Sequence, residues 1–218
     1  MKNIKETLLR LIILFIGLTI AHLGVTMFLL ADLGADPFNV LVQGLFRGLD
    51  SIGGWAFLSH GRVHIAVCFL IILVLLLVDR SYVKLGTIVC MVFGGPIIDL
   101  FSLLLAPLFA MVSSFAVKLL LLASGCVILA YGMTIVIKSQ AGTGPNDLVA
   151  VVISDKLGKK FGVVRVIVDF SFVAAGWLLG GVFGIGTLVC AFLVGPVAGI
   201  FLPINEKLIE KILRKCGV

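Results

Sequence analysis

Charge is what this chain has least of. Only 13% of its residues are Asp, Glu, Lys or Arg, against 61% hydrophobic. A water-soluble domain of 218 residues cannot bury that much apolar side chain, so the composition excludes the soluble class and indicates a membrane protein. Catalytic signatures are missing as well. There is no Gly-x-Ser-x-Gly elbow, no His-Glu-x-x-His, no Walker loop and no CxxC. An enzyme is therefore not expected, and any ATPase that drives this chain must be a separate chain. The five cysteines lack metal-ligand spacing. Cys68, Cys90, Cys126 and Cys190 fall inside apolar runs and read as reduced, packed thiols, so neither a metal nor a cofactor is expected. The net charge of +6 is not a nucleic-acid footprint, because the basic residues sit at the ends of apolar runs. The first apolar run, preceded by Lys2, Lys5 and Arg10, lacks a small-residue cleavage site and reads as a retained helix.

What is present is a series of apolar stretches, at 11–31, 63–78, 85–107, 116–137, 163–179 and 185–204. Each approaches the ~20 residues that a crossing helix needs. Thirteen basic residues fall on one side of these spans: the two tails, the 79–84 loop and the 138–160 loop. Arg47, Arg62 and Lys118 fall on the other. Positive charge is retained on the cytoplasmic side, so both termini are expected there.

The two halves repeat each other. Gly86-Thr87-Ile88-Val89-Cys90 recurs as Gly186-Thr187-Leu188-Val189-Cys190, and Gly95-Pro96 recurs as Gly195-Pro196, at an offset of 100. Gly24, Thr26, Gly34 and Pro37 match Gly132, Thr134, Gly142 and Pro145 at an offset of 108. The expectation is an all-α polytopic membrane protein with one membrane domain. Residues 1–110 form a first repeat of three spans, and 111–218 form a second repeat of three spans with a basic cytoplasmic tail. An odd span count per half inverts the second repeat, an arrangement common in secondary transporters. The segment 37–49 is too short and polar for a comfortable span and reads as a short re-entrant or interfacial helix. If it crossed, the repeats would be parallel instead.

Candidate site residues follow from glycine, proline and charge inside apolar surroundings. Gly95-Pro96 and Gly195-Pro196 lie about eleven residues into their spans, about 16 Å deep at ~1.5 Å per residue. Proline frees the carbonyl four residues earlier, here those of Val92 and Phe192. Either a packed kink satisfies them, or paired broken helices form a midplane binding site. A second pair of breaks is Leu33-Gly34-Ala35-Asp36-Pro37-Phe38-Asn39 and Ala141-Gly142-Thr143-Gly144-Pro145-Asn146-Asp147. These read either as capped turns, with Asp36 as an N-cap, or as helix N-termini that receive an anion. Arg165 and Asp169 are four apart, on one helix face, and Asp99 follows the first Gly-Pro by one turn. The charged pair is either structural, with Arg165 reaching the interface, or a substrate or proton-linked contact. His22 and His64 read as packed neutral rings or as proton relays.

With these motifs in view, the chain resembles the YczE/YyaS/YitT family of bacterial inner-membrane proteins. The resemblance rests on Leu33-Gly34-Ala35-Asp36-Pro37, on Gly142-Thr143-Gly144-Pro145-Asn146-Asp147, on Arg165 with Asp169, and on the two Gly-Thr…Gly-Pro blocks. It covers about residues 10–204. Members often carry Trp after the first Pro, where this chain has Phe38. The resemblance implies a polytopic plasma-membrane protein, not a particular activity. Three functions fit the residues. One is a small secondary transporter or permease for a small polar or anionic solute, with contacts among Gly34, Pro37, Asn39, Gly95, Pro96, Asp99, Gly142, Pro145, Asp147, Arg165, Asp169, Gly195 and Pro196. Another is a substrate-capturing subunit beside a transporter partner subunit. The third is a non-transporting regulator or assembly factor. The lipid bilayer is the expected partner in every case; a homo-oligomer is compatible with each, and nucleic acid with none.

Overall fold

The computed structural model describes residues 4–55, 57–159 and 161–217, with the backbone alone for 161–163 and 165. Its helices are α1 (Ile4–Ala31), α2 (Pro37–Gly53), α3 (His60–Val78), α4 (Leu85–Ala110), α5 (Phe115–Ser139), α6 (Pro145–Leu157), α7 (Phe161–Leu178) and α8 (Ile185–Lys215), with a single 3₁₀ turn at Arg80–Tyr82. No strand occurs among the described residues. Five helices, α1, α3, α4, α5 and α8, are long and apolar enough to cross a membrane; on α7, Val166–Leu178 is a shorter apolar helix.

Small residues set the packing. α1 and α5 run antiparallel and touch backbone to backbone. A Cβ on Gly24 would lie 2.5 Å from the Gly125 carbonyl oxygen, and one on Gly132 would lie 2.6 Å from that of Gly17. Close approach of this kind supplies the dispersion contacts that hold helices together where the surroundings are as apolar as the side chains. Around this seam pack Phe28, Ala31, Leu122 and Cys126 on one side and Leu14, Leu18, Cys90 and Val136 on another. α2 lies against α7 in the same manner, with Gly44 over the Gly176 carbonyl. The Gln43 side-chain oxygen, Oε1, accepts the Val182 amide at 2.9 Å.

Two expectations change. α4 and α8 do not break at their Gly-Pro pairs: each is one helix with Pro96 and Pro107, or Pro196 and Pro203, inside it. A transmembrane helix accommodates a proline when local adjustments or neighbours re-satisfy the backbone. The basic tail is no separate element either. It continues α8 to Lys215, and Ile209 and Leu213 pack on Ile13 and Ile135.

Candidate functional site

The two loops between long and short helices also join the halves. Each is fastened to a Gly-Thr motif at the start of a long helix from the other half. The Gly186 amide donates to the Leu33 carbonyl at 2.8 Å, and the Gly86 amide donates to the Ala141 carbonyl at 3.0 Å. The first amides of a helix have no partner within it, so they are free to hold another segment. Gly34 and Gly142 adopt φ values of +116° and +153°. Both need glycine for space as well: a Cβ would lie 2.7 Å from the Thr187 amide nitrogen at Gly34 and 2.6 Å from that of Thr87 at Gly142.

Fastened in this way, the loops start α2 and α6 at one shared cavity. Pro37 and Pro145 occupy the first turns. Asp36 caps α2, accepting the Asn39 amide at 3.4 Å and the Asn39 side-chain amide at 2.7 Å. Asn146 donates to Asp147 at 3.2 Å. Between these helix starts and α1, α3, α4, α5 and α8 lies a cavity of about 140 Å³. Asp36, Phe38 and Asn39 line it from one loop and helix start, and Gly144, Asn146 and Asp147 from the other. His22, His64, Cys90, Cys190 and Met133 complete the wall among apolar side chains. A volume of this size exceeds what a single water requires, and the lining is largely apolar with a few convergent polar groups, as ligand cavities generally are.

Two histidines meet in this wall. His22 and His64 stand edge to face, ring centroids 5.6 Å apart, and Phe38 stands edge to face on His64 at 5.4 Å. Gly94 makes room for the pair: its absent Cβ would lie 2.9 Å from His22 Nε2 and 3.0 Å from His64 Nε2. The third histidine, His60, stands behind them, 3.3 Å from the Asn39 side-chain oxygen.

Of the sequence-predicted site residues, Asn39 and Asp147 line the cavity, while Gly34, Pro37, Gly142 and Pro145 shape the loops and helix starts around it. Gly95 is buried where α4 crosses α3, with no room for a Cβ against the Gly61 carbonyl oxygen. Asp99 belongs to that crossing too, accepting the Ser59 hydroxyl at 2.6 Å and the Gly61 amide at 2.9 Å, so it caps the N-terminus of α3. Pro96, Gly195 and Pro196 are exposed on the outer faces of their helices, with open space at Gly195. These three do not join the cavity. Helical phase turns them outward, so depth in the span does not translate into a shared site. The pairing of Arg165 with Asp169 lies outside the described residues at its Arg165 end. Gly94 and Asn146 escaped the sequence reading as site residues, although Asn146 stood inside the quoted 141–147 break and Gly94 directly before Gly95-Pro96.

A family model described as "Family of unknown function (DUF6198)" matches residues 8–203. Among similar proteins is the uncharacterized membrane protein YczE of Bacillus subtilis, 29% identical over 208 residues, covering 94% of this chain and 91% of its own length. An uncharacterized protein of Haemophilus influenzae is 28% identical over 199 residues, covering 90% and 84%. The uncharacterized protein YyaS of Bacillus subtilis is 28% identical over 193 residues, covering 88% and 92%. No solved structure matches the chain. The matched relatives, the composition and the long apolar helices together identify a membrane protein.

Proposed function

We propose, on the premise that this chain belongs to DUF6198, a family of unknown function, that it is a small secondary transporter or permease whose solute site is the cavity between α2 and α6. The observation that carries the reading is the convergence of two repeat-related loops, 33–39 and 141–147, on one cavity. Matched residues line it from both sides: Asp36 with Gly144, Phe38 with Asn146, Asn39 with Asp147, and Cys90 with Cys190. Ligand sites at the interface of two repeats are the usual arrangement in such transporters.

The same reading takes the repeats as inverted, with six crossings, two short helices that do not cross, and both termini in the cytoplasm of a bacterial plasma membrane. The glycine seam supports inversion. Gly17 meets Gly132 and Gly24 meets Gly125, and the offset of 108 converts each contact into the other. Two antiparallel helices exchanged in this way are related by an axis perpendicular to both, which lies in the membrane plane when they cross it.

Two measurements test the proposal. Single cysteines replacing Ser51 and Lys159, exposed and repeat-related at the far ends of α2 and α6, in a cysteine-free background, are expected to label from opposite membrane faces; labelling from the same face removes the inverted topology. In proteoliposomes, Asn39→Ala and Asn146→Ala are expected to reduce solute flux at least tenfold with folded protein retained, whereas Pro196→Ala, on the outer face, leaves it unchanged. Flux that is insensitive to both cavity substitutions refutes the site.

A further inference from the structure

His22 is fixed by its neighbour. Its Nδ1 lies 2.8 Å from the Leu18 carbonyl oxygen, a group that only accepts, so Nδ1 carries the proton and donates it. In the neutral ring, Nε2 of His22 is then a bare acceptor. His64 is constrained from the opposite direction. The residue is only 6% exposed, and its Nδ1 is buried without a hydrogen-bond partner. A buried N–H left unpaired costs more than a buried lone pair, and orphaned N–H groups are rarer than under-satisfied acceptors. The less costly tautomer of His64 therefore keeps Nδ1 bare and places the proton on Nε2. The two Nε2 atoms, one a donor and the other an acceptor, are those that approach the vacant Cβ position of Gly94. Both rings line the cavity and meet edge to face.

A guest that completes this pair must accept from His64 and donate to His22 through one small group. A hydroxyl has one proton and two lone pairs on a single atom and does both. An ammonium group only donates, and would force His64 into the tautomer with a buried, unpaired N–H. A carboxylate only accepts, and would require a second proton on His22. We propose that His22 and His64 form a hydroxyl-recognition site in the cavity, selecting a small uncharged polyol or alcohol over amines and carboxylates. The proposal deepens the transporter reading and rests on its cavity. It narrows the solute class to the uncharged one and sets aside the anionic solute.

The test is binding rather than flux. The full chain, labelled with ¹⁵N-histidine and held in lipid nanodiscs, is titrated separately with glycerol, methylammonium and acetate. The chain has three histidines, so each ring is separately assignable. Glycerol is expected to produce a saturable shift of the His22 and His64 Nε2 resonances, with His60, outside the cavity wall, little affected. Methylammonium and acetate are expected to produce none. Gly94→Ala places a Cβ at the meeting point and abolishes the glycerol response; His22→Phe does the same where the Gly94 variant does not fold. A response to methylammonium or acetate in place of glycerol overturns the proposal, as does a folded wild type that responds to none. A glycerol shift with no flux of any solute in proteoliposomes leaves the recognition site standing and removes the transporter. Flux of another solute without a glycerol shift does the reverse.

Discussion

Replacing Gly34 by Ala isolates the fastening of the first loop. The residue has φ +116°, and its new Cβ would lie 2.6 Å from Thr187 Oγ1, 2.7 Å from Thr187 N and 3.1 Å from Gly184 N. Backbone strain at such a φ costs about 1–3 kcal/mol. Overpacking against atoms that cannot retreat costs about 1–3 kcal/mol more. The sum, about 2–6 kcal/mol, is a large fraction of the ~5–15 kcal/mol by which proteins are stable. At about 1.4 kcal/mol per factor of ten, it lowers the folding equilibrium constant by roughly 30-fold to 10⁴-fold. Two other glycines separate strain from collision. Gly158 has φ +60° but nothing within 4 Å of its Cβ position, so Gly158→Ala carries strain alone, about 1–2 kcal/mol. Gly199 lies inside α8 with open space, so Gly199→Ala is neutral or stabilising by up to about 1 kcal/mol. Adding Thr187→Ala to Gly34→Ala removes the hydroxyl but leaves the amide nitrogen in place, so recovery is incomplete. Equilibrium unfolding in mixed detergent micelles, followed by the helical circular dichroism signal, measures all four variants. If Gly34→Ala unfolds no earlier than Gly158→Ala, the loop is not fastened as described.

Further perturbations address other parts of the molecule. Cys126 and Cys190 place their sulfurs 3.3 Å apart, so mild oxidation in the membrane is expected to yield a disulfide joining α5 to α8; peptide mapping that recovers both thiols unmodified refutes this proximity. Asn205, fully buried, donates to Thr134 Oγ1 at 2.6 Å, and Asn205→Ala should cost about 0.6–2 kcal/mol in the same unfolding assay. In the loop after α3, the Ser81 amide and hydroxyl, with Lys156 nearby, lower the Asp79 carboxyl below its ordinary 3.8. The carboxylate's contribution to this turn is therefore complete above pH ~4 and is lost as pH falls through the lowered value. Hydrogen exchange at the Ser81 amide should rise on acidification relative to an Asp79→Ala control; identical profiles in the two proteins count against the turn.

The helices were legible because hydropathy runs and flanking charge reflect solvent preference, which the chain states locally. All six apolar stretches fall on helices, and Pro37 and Pro145 mark the starts of the two short ones. The Gly-Pro pairs misled for an equally physical reason. A proline announces a missing donor, yet whether the helix breaks depends on its surroundings, and Pro96 and Pro196 sit on outer faces of unbroken helices. Asp99 looked like a membrane-buried charge awaiting a solute, while its partners, Ser59 and Gly61, lie at a helix start that only the α3–α4 crossing brings near. The cavity itself was not legible. His22 and His64 are isolated residues on separate helices in the sequence. Their meeting depends on Gly94, whose missing side chain is informative only once the two helices are known to face it.

The crosswise fastening of the loops has a consequence for the order in which the molecule is completed. Leu33 leaves the ribosome early, but the amide that receives its carbonyl belongs to Gly186, at the start of the last helix. Until α8 arrives, the first loop has no clasp, and the α2 start that it positions has no fixed place beside α6. Ala141, by contrast, finds Gly86 already made. The second loop is thus able to close before the first, which waits for the start of α8. A chain truncated before α8 would therefore carry one finished loop and one open one, and its cavity would lack the wall that Cys190 and Val194 provide.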